Sequence, residues 1–178
     1  MFFCLKTRGA VCYTIGMKKI LGFSAVLAIG VGIVMVVAGV WGIAFTYTNV
    51  ARENITTPAD APIPNAPVRG PMTLHAQATI IREHVLHTTA GKTYSEMPQK
   101  VAKLDAVGSA VLDEKGEPVM VSNDARNIWI TATTLITALH LGIITYVFSG
   151  LIVCLGLISV WTGVIFLILK KRFYPSTT

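Results

Sequence analysis

The stretch Leu141–Leu169, LGIITYVFSGLIVCLGLISVWTGVIFLIL, decides how this chain is built. It holds no charged residue and is closed by Lys170, Lys171 and Arg172. A helix needs about 20 apolar residues to cross a hydrocarbon layer about 30 Å thick, and this run exceeds that. A soluble amphipathic helix keeps one polar face, whereas this run is apolar all round. It reads as membrane-spanning. A second run, Leu21–Thr46, reads the same way. The expected fold is therefore an all-α membrane protein: an antiparallel two-helix transmembrane hairpin with a small, mainly helical extracytoplasmic domain.

The composition agrees. Of 178 residues, 53% are apolar and 13% charged, which excludes a disordered chain. The net charge of +6 invites a nucleic-acid reading, but its distribution speaks against one. Lys6, Arg8, Lys18 and Lys19 precede the first span, and Lys170, Lys171 and Arg172 follow the second. All nine acidic residues lie between the spans. Cations beside span ends mark the cytoplasmic side, so the charge pattern is a topology signal. It puts both termini in the cytoplasm and the centre outside. The expected layout is a cytoplasmic N-terminus over 1–20, spans over 21–46 and 141–169, an extracytoplasmic domain over 47–140 and a cytoplasmic tail over 170–178.

Cys4 and Cys12 are cytoplasmic in this layout and Cys154 lies within the second span, so no disulfide staples the exported part. Residues 1–16 differ in character from the rest of the chain, and Lys18-Lys19 before an apolar run makes Met17 an alternative start to Met1. The first run is longer than the apolar core of a signal peptide, and no small-residue cleavage pattern lies after it, so it reads as an uncleaved anchor. Trp41 and Tyr47 near its outer end suit an interfacial belt.

Small residues recur every seven positions in both runs: Ala25, Gly32, Gly39 and Thr46 in the first, Gly142, Ser149, Gly156 and Gly163 in the second. A seven-residue period keeps one stripe turned to a partner helix. Small side chains let two backbones approach where lipid offers no hydrophobic drive. These eight residues are the expected packing seam.

Between the spans, Thr56–Pro71 carries five prolines and reads as an extended, polyproline-like linker. Asn54-Ile-Thr is a glycosylation sequon, relevant only to a eukaryotic secretory route. Leu74, Ala78, Ile81 and Val85 share one face of an amphipathic helix over 72–88, begun at Pro71 and closed near Gly91. The stretch 93–104 reads as ambiguous, a short helix broken at Pro98 being one option. Residues 110–121 read as a short β-hairpin around a glycine turn. Ser122-Asn123-Asp124 supplies cap chemistry for a helix over 125–140 that is continuous with the second span.

The chemistry is thin. His84 and His87 lie three apart on one helix with Glu83 beside them, and His75 more than two turns before. Two histidines and a carboxylate can form a facial set for non-haem iron. However, Glu83 and His84 are adjacent and point about 100° apart on a helix. Polar-face histidines are the plainer reading, and His140 is read as an interfacial side chain. There is no nucleophile elbow, phosphate loop, dinucleotide fingerprint or Cys-x-x-Cys motif.

One resemblance adds to this. The order Glu53-Asn-Ile-Thr56, Gly70-Pro71, Gln77-Ala-x-Ile-Ile-x-x-His84, Gly91-Lys-Thr-Tyr94 and Ala125-Arg-Asn-Ile-Trp-Ile-Thr-Ala-Thr-Thr-Leu-x-Thr-Ala-Leu139 covers most of 17–169. It resembles small two-span actinobacterial integral membrane proteins that often carry the name "aromatic ring-opening dioxygenase". The resemblance implies a histidine at the position of His84, no histidine at His87 and commonly an asparagine at His140. It implies the two-span architecture. The name implies iron bound by a facial set of His and carboxylate ligands, which these residues do not assemble.

The sequence therefore supports an integral membrane protein of the cell envelope with no evident catalytic site. The expected role is an accessory or interaction module of a membrane complex. The alternative is a metal-dependent ring-opening oxygenase using His75, His84 and His87. No cofactor and no nucleic-acid partner are expected; the partners are the lipid bilayer and other membrane proteins or a second copy.

Overall fold

Three helices account for most of the chain in the computed structural model: α1 Cys4–Arg52, α2 Pro71–Thr88 and α3 Asp124–Phe173. A short 3-10 turn, Tyr94–Glu96, and two strands, β1 Lys100–Ala102 and β2 Met120–Ser122, lie between α2 and α3. The structure describes residues 4–173, with side chains from Met17 onward. Cys4, Cys12, Lys6 and Arg8 and the tail beyond Phe173 lie outside the described side chains. Two units can be distinguished, Met1–Thr46 with Thr145–Thr178 and Tyr47–Ile144.

The first unit is an antiparallel pair of helical segments whose long middle stretches expose apolar side chains. Phe23, Val34, Phe148 and Trp161 are all more than 60% exposed. In the most apolar window of each long helix only 11% is buried, whereas a core helix of a soluble protein is mostly buried. Both helices are long and apolar enough to cross a membrane, which points to a membrane location. Inside the pair, two hydroxyls find backbone carbonyls, one within its own helix and one across the pair. Thr46 Oγ1 donates to Gly42 O at 2.9 Å, and Ser159 Oγ donates across to Ala28 O at 2.9 Å.

The second unit has a conventional core. Val85, Met97, Trp129 and Ala132 form a buried cluster flanked by Ile81, Leu86 and Ala125. Trp129 carries its polar atom with it: Nε1 donates to Lys92 O at 2.8 Å and to Thr89 Oγ1 at 3.2 Å. α2 starts with Pro71 in its first turn, and Thr73 Oγ1 accepts the Gly70 N–H at 3.2 Å. Its burial is broader than a single stripe, since Ala76 and Ile80 are buried along with Leu74, Ala78 and Val85. It ends with Ala90 at φ 51°, Gly91 N–H donating to Leu86 O and Ala90 N–H to His87 O. That is a Schellman closure with alanine, not Gly91, in the first left-handed position.

α3 begins where Asn123 Oδ1 accepts the Ala125 N–H at 3.1 Å, while Asn123 Nδ2 donates to Pro98 O at 3.0 Å. One side chain thus caps the helix and ties it to the preceding loop. No proline interrupts the helix to Phe173, and Lys170, Lys171 and Arg172 close it where cations favour the helix dipole.

Two segments differ from the sequence expectation. Thr56–Pro71 is not an extended linker. Thr57 is 1% exposed, and its hydroxyl bonds Ile63 O and accepts the Ala66 N–H. With Val68 N–H donating to Ile55 O, the segment closes on itself. Prolines remove donors but not acceptors, so one hydroxyl can gather several carbonyls.

The short hairpin expected at 110–121 is one part of a wider arrangement. β1 pairs antiparallel with β2, Val101 facing Val121, and bridges join Leu104 to Ala110 and Leu112 to Pro118. The Lys103 N–H donates to Val119 O, the Val119 N–H to Val111 O and the Val111 N–H to Lys103 O. These three positions recur every eight residues, and the repeat is visible as KLDAVGSA followed by VLDEKGEP. In each copy the Asp accepts two backbone N–H groups and the Gly has positive φ. The turns therefore close by the same chemistry.

Candidate functional site

The histidines come apart in the structure. His84 Nε2 lies 2.7 Å from Asp60 Oδ2, in the proline-rich loop, and both side chains are more than half exposed. That hydrogen bond holds the Asp60 carboxyl below its ordinary range, with smaller help from the charge of His84. Among the described residues no group of three His, Cys, Asp or Glu side chains is placed to hold a metal ion. His75, His84 and His87 are not gathered into one, and His140 is exposed. No local pattern points to the Asp60 partner, which lies 24 residues away in a proline-rich loop.

The seam residues are brought together. Ala25 is fully buried, and Gly32, Gly39, Thr46, Ser149, Gly156 and Gly163 are all buried. A Cβ added at Gly32 would stand 2.6 Å from Gly156 O, and one at Gly156 would stand 2.8 Å from Gly32 O. Each glycine also receives a β-branched side chain from the other segment. Gly32 takes Val160, Gly39 takes Val153, Gly156 takes Val36 and Gly163 takes Ile29. Rising numbers in α1 meet falling numbers in α3, so the segments run antiparallel. Gly142 behaves differently: the atoms nearest an added Cβ belong to Leu74 of α2, at 3.3 Å, so it serves the second unit. Its place in the stripe hides this, because α3 leaves one set of neighbours for another near that point.

The second unit also carries an open groove of about 630 Å³ between Tyr94 and the α3 face of Ile130, Thr134, Thr137 and Leu141. The Arg126 guanidinium stacks on the Tyr94 ring at 4.1 Å, at one end of the same helix face. Its walls are apolar, with the hydroxyls of Thr133, Thr134 and Thr137 among them.

No protein family's profile matches the chain, and neither a curated protein nor a solved structure matches it.

Proposed function

We propose that the chain is a two-span integral membrane protein of the cell envelope, with both termini in the cytoplasm and residues 47–140 outside. Its role is that of an accessory or interaction module of a membrane complex. The observation that carries this is the outward face of the two long helices. Side chains such as Phe23, Val34 and Trp161 are exposed around a seam closed by glycine. Water would penalise that surface by about 25 cal/mol per Å², whereas lipid does not. The resemblance to small two-span actinobacterial proteins supports the same architecture. The groove beside Tyr94 gives the exported unit a face for a partner.

Cross-linking in native membranes followed by mass spectrometry tests the role, and a reproducible membrane-protein partner is the expected result. Orientation is tested by single cysteines at Asn65 and Ser176. The first should label from outside and the second only after permeabilisation; the reverse pattern contradicts the topology. Against the oxygenase alternative, purified protein should hold no stoichiometric iron, and His84→Ala should leave its metal content unchanged.

A further inference from the structure

We propose that Lys170, whose side chain lies over Gly22 at one end of the helix pair, and Lys18, one helical turn before Gly22, together seat the phosphate of an anionic phospholipid headgroup. The inference rests on the membrane reading above and adds a ligand to it.

The geometry begins at Gly22. A Cβ placed there would lie 2.6 Å from Lys170 Nζ, 3.3 Å from its Cε and 3.5 Å from its Cδ. The Lys170 stem therefore lies across the backbone of the other segment, with its ammonium on the seam. A lysine that merely snorkels runs its stem along its own helix toward water. Lys170 instead uses the room that a missing side chain leaves. Lys18 stands one helical turn before Gly22, on the same face of α1. Lys18 and Lys170 are half-buried, while Lys19, Lys171 and Arg172 are exposed around them.

No acidic side chain of the two segments is available to neutralise them. Residues 1–46 and 145–178 contain no Asp or Glu, and no ion pair involves these lysines among the described residues. Two half-buried cationic side chains at the same end of the helix pair disfavour each other, and an anion between them would turn that repulsion into attraction. A phosphodiester fits: it carries one negative charge and two free oxygens that accept charge-assisted hydrogen bonds. Both lysines sit directly beside apolar helix, the depth at which a bilayer carries its phosphates. That favours a lipid phosphate over a dissolved one.

The test uses the full chain in neutral detergent micelles, with phosphatidylglycerol, phosphatidylcholine or inorganic phosphate added. Binding is read by native mass spectrometry and by the melting midpoint. Phosphatidylglycerol should stay bound and raise the midpoint, with little effect from the other two. K18Q/K170Q should weaken phosphatidylglycerol binding about tenfold or more, at roughly the surface-lipid attraction expected of two cations. K19Q/K171Q removes the same charge and should weaken it much less. Equal effects of the two lipids, or equal losses in the two double variants, would overturn the seat in favour of diffuse charge. Equal stabilisation by inorganic phosphate would overturn the lipid as its source. Should K18Q/K170Q not fold, lipid selectivity of the unmodified chain still decides. Loss of the membrane reading itself would show separately, as a chain that fractionates with soluble protein.

Discussion

The two units of this chain are held together by opposite uses of side-chain size. In the helix pair the contact surface is made by what is missing: Gly32, Gly39, Gly156 and Gly163 bring backbone oxygens within reach of the opposite helix. In the unit spanning 47–144 it is made by what is present, with Trp129, Leu74 and Val68 all at least 96% buried. The same helix, α3, supplies both kinds of contact. On the proposed membrane reading, the difference comes from solvent. Where water surrounds a unit, burying large apolar groups stabilises it; where lipid does, only close approach and hydrogen bonding remain.

The comparison predicts opposite signs for changes in size. Trp129→Ala should have the largest effect, about 3–5 kcal/mol lost from the second unit through cavity formation. Loss of the Nε1 bonds would leave Lys92 O short of a donor, and urea unfolding read by circular dichroism checks it. Next, Gly32→Leu should weaken the helix pair by about 1–3 kcal/mol through overpacking against Gly156 O. Gly30→Leu, on the same helix with nothing within 4 Å, should cost nothing or stabilise slightly. Thermal melting in detergent distinguishes the two; equal losses would mean that the seam is not the contact. Asn123→Ala comes third, at about 1 kcal/mol for a lost cap and a lost tie to Pro98 O, read in the same urea unfolding.

The smallest effect is a pH dependence confined to the second unit. The Ser109 and Val107 N–H groups hold the Asp105 carboxyl below its usual range, and the Thr93 N–H and hydroxyl do so for Glu96. A lowered folded-state value means that the contribution is complete above the unfolded value. It is lost as pH falls through the folded one. The unit should therefore melt earlier below about pH 4, and Asp105→Asn should flatten that slope. The first unit carries no carboxylate side chain, so the melting of the helix pair should not share this dependence.

Much of this was legible in the residues. Composition alone marks the two apolar helices, and the seven-residue spacing marks Ala25, Gly32, Gly39, Ser149, Gly156 and Gly163 as one surface. The boundary at Asn123 follows from cap chemistry. The hidden part depends on contacts between distant segments. Nothing local tells that Lys100–Ala102 will pair with Met120–Ser122, or that Thr57 will gather the carbonyls of a proline-rich loop. Gly142 belongs by spacing to the seam but packs on Leu74, because periodicity describes a face and not its neighbour. The eight-residue repeat at 103–118 was readable and explains the paired turns. For function, the residues carried less: the histidines read as polar-face side chains with a metal set as the alternative, and no local pattern announces the contact of His84 with Asp60.

Everything in the comparison depends on lipid covering the exposed faces of the long helices, and alkaline carbonate extraction of membranes from cells making the chain tests that directly. The account predicts that the protein sediments with the bilayer after extraction and is released only by detergent; recovery in the carbonate supernatant would contradict it.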